Sequence, residues 1–167
     1  MQETRQYTDS AQRGINTFIA DVSRLVAHAK PTQAGTVRFI LAIGERYAYI
    51  RLADICHPLR FFKQMAGNPP VGFDTEGLSE AILDDYNPAR HYIAFVFVGF
   101  WLPTLLATAM LWAWEVASFV RYRVNCIQKD ILSVNIGIRH GRLIQRYGPA
   151  ILPGLIAAEL TEKNSHK

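Results

Sequence analysis

Hydrophobic positions along the chain change their period several times, and each change predicts an element. From Gly14 to Lys30, Ile15, Phe18, Ile19, Val22, Leu25 and Val26 recur at i, i+3, i+4, i+7, i+10 and i+11, one stripe of a helical period. Asp21 and Arg24 fall on the opposite face, and Lys30-Pro31 ends the helix. Such a stripe packs against a partner subunit or the chain itself, with the bilayer surface as the other option, and these six residues are the expected protein interface.

Thr36 to Phe62 has no clean period. Two apolar clusters, Phe39–Ile43 and Tyr47–Ile50, flank Gly44-Glu45-Arg46 and would suit a hairpin. The unbroken length favours a helix to about Ile55, followed by a second one starting at Pro58. Gly67 to Arg90, with GNPPVGF and NPAR, reads as a linker in which GLSEAILDDY forms about two helical turns.

Tyr92 to Trp114 is different in kind: 23 consecutive residues without a charge, and apolar character continues to Val120 with Glu115 and Ser118 as interruptions. As a helix this length covers a hydrocarbon core of roughly 30 Å. Tyr92 at one end and Trp112, Trp114 and Tyr122 at the other suit the headgroup level. Pro103 is expected to kink the helix, and Gly99 and Thr104 offer small side chains without a GxxxG spacing.

Beyond the run, Glu115 to Leu132 is expected to continue the same helix. Val134, Ile136 and Ile138 alternate with Asn135 and Gly137, so a short hairpin turning at His140-Gly141 competes with a helix broken by glycines. The tail, with Pro149 and Pro153, reads as an extended segment plus a short helix lying on another protein. The expected fold is therefore an all-α membrane protein. One transmembrane helix at about 92–120 is flanked by amphipathic helices and extended proline-containing arms. Its regions are 1–66 (helical), 67–91 (linker), 92–120 (span) and 121–167 (basic extension).

Composition supports the membrane reading. Half of the 167 residues are hydrophobic, 19% are charged and the mean hydropathy is +0.05. This excludes a disordered chain, and two cysteines, Cys56 and Cys126, exclude a disulfide scaffold. The opening MQETRQYTDSAQRG lacks the apolar core of a secretory signal, and Glu3 and Asp9 are unlike a mitochondrial presequence. Residues 1–91 hold ten basic and ten acidic side chains, whereas 92–167 hold eight and four, so the net +4 sits entirely after the apolar run begins. That asymmetry predicts a C-terminal part on the cytoplasmic or matrix side, with the N-terminal part opposite. Arg121, Arg123 and Lys129 would meet anionic phospholipid such as cardiolipin, and nucleic acid is not an expected partner.

Motifs for chemistry are missing from the sequence. Five histidines form neither HxxxH nor HExxH, the cysteines form no CxxC, and there is no phosphate loop or GxSxG. Asp84-Asp85 are adjacent and diverge on a helix, and Glu115 is a boundary residue before it is a proton relay. His91, one residue before the run, is the weak candidate for a haem or chlorophyll ligand. The expectation is a non-catalytic accessory subunit, without metal or cofactor, of a large multi-subunit membrane complex. By architecture its home is an energy-transducing complex of the mitochondrial inner membrane, a respiratory complex or an ATP synthase. A pigment- or haem-binding subunit, or a component of a bacterial inner-membrane secretion or transport machine, are the alternatives.

Overall fold

A computed structural model describes residues 14–51, 53, 75–79, 88–103, 105–106 and 127–162. These form α1 (Ile15–Ala27), α2 (Gln33–Ala48), α3 (Pro88–Trp101), α4 (Ile127–Tyr147), a 3-10 turn (Pro149–Ile151) and α5 (Leu152–Glu159). Among the described residues there is no strand; an isolated antiparallel bridge joins Leu78 to Thr161. The all-α expectation holds. No helix among the described residues is long and apolar enough to cross a membrane.

The α1 stripe turns inward. Ile15, Phe18 and Val22 are buried in the chain's own core, and Ile19, Leu25 and Val26 pack against it. Of the three coverings open to an amphipathic stripe, it is the chain itself that buries Ile15, Phe18 and Val22. Phe18 is the pivot, meeting Tyr47 of α2 edge-on at 4.9 Å and Tyr92 of α3 at 6.2 Å between ring centroids.

Thr32 caps α2 by accepting the Gly35 N–H at 3.1 Å, satisfying one of the free donors of a helix start. The helix ends at Ala48, not near Ile55, and no hairpin forms over this part. Tyr49 adopts a left-handed conformation (φ 58°) and Ile50 N–H bonds back to Gly44 O at 3.0 Å, which closes the last turn. The second helix expected from Pro58 and most of the linker lie outside the described residues. Within that linker, 75–79 form a clip instead of helix. Ile15 N–H donates to Glu76 O, Ser79 N–H to Leu160 O and Glu162 N–H to Gly77 O, tying the start of α1 to the end of α5.

The apolar run is divided. Pro88 opens α3, where its missing N–H costs nothing, so NPAR is a helix start and not loop. Eleven of the fourteen α3 residues are buried. Tyr92 does not sit at a headgroup boundary but in the core, 2% exposed. The helix stops at Trp101, before Pro103, so no continuous helix runs through 92–120. The continuation expected through Glu115 lies outside the described residues.

What covers α3 is chiefly α4. Neither the hairpin nor the glycine break occurs there, because α4 runs unbroken from Ile127 to Tyr147. Gly137 and Gly141 are four residues apart, a GxxxG spacing, and they take the α3 backbone against them. A Cβ on Gly137 would sit 2.9 Å from Tyr92 O, and one on Gly141 would sit 2.6 Å from Phe100 N and on Val96 O. Gly99 meets the Ile138 backbone in the same way. The contacts advance together, Tyr92 beside Gly137 and Phe100 beside Gly141, so the two helices run in the same direction. From the level of Trp101, beside Gln145, the start of α4 is therefore roughly 27 Å away along the helix.

Gly148, at φ 86°, reverses the chain after α4; the expected extended segment is instead a 3-10 turn, and the short helix expected after it is α5. Leu152, Ile156 and Leu160 of this tail are fully buried in the same core, so it lies on its own chain. That core draws residues from all four expected regions, Ile15, Leu78, Tyr92 and Ile144 among them. Residues before the apolar run and residues after it therefore belong to one packed body.

Candidate functional site

The close approach of α3 and α4 creates the structure's main buried polar group. Tyr92 leaves α3 beside Gly137, and with no Cβ in the way its hydroxyl reaches His140 Nδ1 at 2.7 Å. The two rings meet edge-on at 5.8 Å. His140 is 0% exposed, and its other nitrogen, Nε2, is 3.3 Å from Glu159 Oε2 in the last turn of α5. That approach is an electrostatic contact, not an aligned hydrogen bond, and Nε2 has no other polar partner. Arg139 bonds the same carboxylate oxygen from the outer face of α4.

The chain reads phenol, imidazole, carboxylate. With the Tyr92 hydroxyl donating to Nδ1, the ring proton resides on Nε2 and points toward the Glu159 carboxylate, which fixes a neutral tautomer. Burial pushes the His140 pKa below the usual 6.5, a shift that Glu159 opposes but does not overcome. The order resembles that of nucleophile–histidine–acid arrangements, but such a site needs a reacting group that substrate can reach. Here the tyrosine and histidine are sealed in the core. What the geometry provides is a three-way brace between α3, α4 and α5.

A second polar cluster joins α1 to α2. Arg46 donates to Asp21 Oδ2 at 2.5 Å, Tyr47 OH at 3.2 Å, and Arg24 to Oδ1 at 2.9 Å. Burial alone would raise the Asp21 pKa, but Arg46, Tyr47 and Arg24 together hold it below 3.8. Tyr47 is pushed up to about 12, chiefly by burial. At the head of α3, Arg90 is buried with its guanidinium 5.9 Å from the Tyr49 ring centre.

An open hollow of about 380 Å³ is lined by Gln33, Thr36, Val37, Phe100, Trp101 and Gln145. It lies where α2 begins and α3 and α4 end, and none of its six side chains titrates. Beside it Trp101 (45% exposed), Leu105 (84%), Leu106 (56%) and Tyr147 (59%) stand in solvent.

The sequence-chosen residues scatter. His91 is half-buried on the first turns of α3, and among the described residues no three His, Cys, Asp or Glu side chains gather as a metal site would need. Arg121 and Arg123 lie outside the described residues. Lys129 falls on the backbone of α4, its side chain likewise outside them. The Tyr92–His140–Glu159 brace was not anticipated, although the Gly137/Gly141 spacing around His140 was a signal of close helix contact. No protein-family model, no curated protein and no solved structure matches the chain.

Proposed function

We propose that the chain is a non-catalytic accessory subunit held at a membrane from one side. One observation carries this reading: the uncharged run leaves the packed core at Trp101, with Leu105 and Leu106 already facing outward. Tyr92 to Phe100 is taken up by the core and Leu102 packs beside Phe95 and Ile138, so Pro103 to Trp114, 12 uncharged residues, is what remains to meet lipid. As a helix it would measure about 20 Å, short of a hydrocarbon core of roughly 30 Å and in the length class of interfacial or re-entrant segments. The large assembly this subunit would join, an energy-transducing complex of the mitochondrial inner membrane by architecture, is tested by what co-purifies after mild detergent extraction.

Sidedness tests the reading directly. In a chain with Cys56 and Cys126 replaced by alanine, single cysteines at Glu45 and at Glu162, one before the run and one after it, are exposed to an impermeant maleimide in sealed vesicles. Both should label from the same side, and Leu106→Arg should shift the protein from the carbonate-resistant pellet to the supernatant. Labelling from opposite faces, or a wild-type chain that stays in the supernatant, would refute it.

A further inference from the structure

The charges of the described body are segregated by end. One end is made by the start of α2 and the C-terminal ends of α3 and α4, as the lining of the hollow by Gln33, Trp101 and Gln145 records. Lys30 and Arg38 flank the first turns of α2, and Arg142 and Arg146 share a stripe of α4 with Gln145. No described carboxylate pairs with any of these four cations. Arg142 is half-buried, and one of its guanidinium nitrogens is enclosed with no acceptor.

The described acids lie toward the other end. Asp21 is bound to Arg46 in the last turn of α2, and Glu45 to Arg51. Glu159 sits under Tyr92 and His140, and Glu76 and Glu162 belong to the clip at the start of α1. The basic end also holds the exposed large apolar side chains Trp101, Leu105, Leu106 and Tyr147. The Arg146 guanidinium rests 5.3 Å from the Tyr147 ring centre.

From this juxtaposition we infer that the basic end, Lys30, Arg38, Arg142 and Arg146 around Trp101 and Tyr147, is a docking face for an anionic phospholipid surface. Tryptophan and tyrosine rings suit the headgroup level, where one part of the ring is apolar and the other wet. Arginine forks match phosphate oxygens in pairs. Free cations facing an anionic leaflet gain attraction that paired ones do not. An acidic protein surface would satisfy the cations as well, but it gives no reason for two leucines and a tryptophan to stand beside them. The inference rests on the one-sided membrane reading and adds the headgroup chemistry to it.

The test uses the full chain and two vesicle types, phosphatidylcholine alone and phosphatidylcholine mixed with phosphatidylglycerol, in a flotation assay at low and high salt. Wild type should bind the mixed vesicles many-fold better, and salt should erase the difference. Lys30→Gln, Arg38→Gln and Arg146→Gln are all at exposed positions, and each should lower binding to mixed vesicles by about fivefold. Binding to neutral vesicles should not change, and circular dichroism should confirm an unaltered fold. Glu45→Gln and Glu162→Gln, at the other end, should leave both vesicle types unaffected. Equal binding of wild type to the two vesicle types would overturn the docking face while leaving the membrane reading intact. Anionic binding that survives all three substitutions would also overturn it and leave the basic end to an acidic protein. Failure to bind either vesicle would remove the membrane reading itself.

Discussion

Adding one methyl group at Gly141 and one at Gly154 should move stability in opposite directions. Both glycines lie in helices, so alanine gains roughly 1 kcal/mol of helix propensity at either site. At Gly154 the new Cβ meets nothing within 4 Å, and the gain should appear almost whole. At Gly141 it would fall on Val96 O, 2.6 Å from Phe100 N and 2.8 Å from Gly99 C. These are backbone atoms of a buried helix and cannot swing aside, so α3 and α4 must separate along their shared length. Overpacking of this kind costs about 1–3 kcal/mol, and a backbone-to-backbone clash belongs at the upper end. The net expectation for Gly141→Ala is a loss of about 2 kcal/mol. At roughly 2–4 °C per kcal/mol for a chain of this size, its Tm should fall by about 4–8 °C. Gly154→Ala should raise Tm by a few degrees. Thermal unfolding followed by far-ultraviolet circular dichroism measures both. If the two variants shift in the same direction, α3 and α4 are not in backbone contact and the one-body argument loses its main support.

Tyr92→Phe deletes the hydroxyl and leaves His140 Nδ1 buried without a partner, so urea unfolding should show a loss of about 1–3 kcal/mol. The His140 pKa is lower in the fold than its unfolded 6.5, so above pH 6.5 the ring is neutral in both states and costs nothing. As pH falls through 6.5 the unfolded chain takes the proton first, and stability should decline until the depressed folded value is reached, then level off. His140→Asn keeps an acceptor for Tyr92 and should abolish that decline; an unchanged pH slope in this variant would assign it elsewhere. Thr32→Ala removes the cap of α2 and should lower stability by about 1 kcal/mol in the same unfolding assay.

The local half of this fold was legible in sequence. Periodicity placed α1 within three residues of its observed ends, because a 3.6-residue stripe bounded by Lys30-Pro31 admits no other element. The end of α2 was not legible. It depends on a tyrosine accepting a left-handed conformation, which nothing in the local pattern demands. In α4, glycines that lower helix propensity were read as breaks. Within a packed pair their cost is offset by the close approach they allow, and only the partner helix reveals this. The Tyr92–His140–Glu159 brace joins residues 48 and 19 positions apart, and no spacing rule reaches that far.

The apolar run from Tyr92 to Trp114 shows why hydropathy alone could not decide its role. A helix apolar on all sides suits lipid and the centre of a protein equally well, since both surroundings lack water. The two differ in what faces the helix, and here α4 faces it with Gly137 and Gly141, a device of helix pairs that meet backbone to backbone. Yet α4 also carries Arg139, Gln145 and Arg146 on its exposed side, and lipid would not tolerate them at depth. In the one-sided reading proposed above, the pair α3–α4 belongs to the body outside the bilayer. On that reading only the remainder of the run enters lipid, and the side chains at its threshold, Trp101, Leu105 and Leu106, are exposed. On the same reading the boundary between core and membrane segment falls where the helix stops before Pro103, inside the uncharged stretch and not at either of its ends.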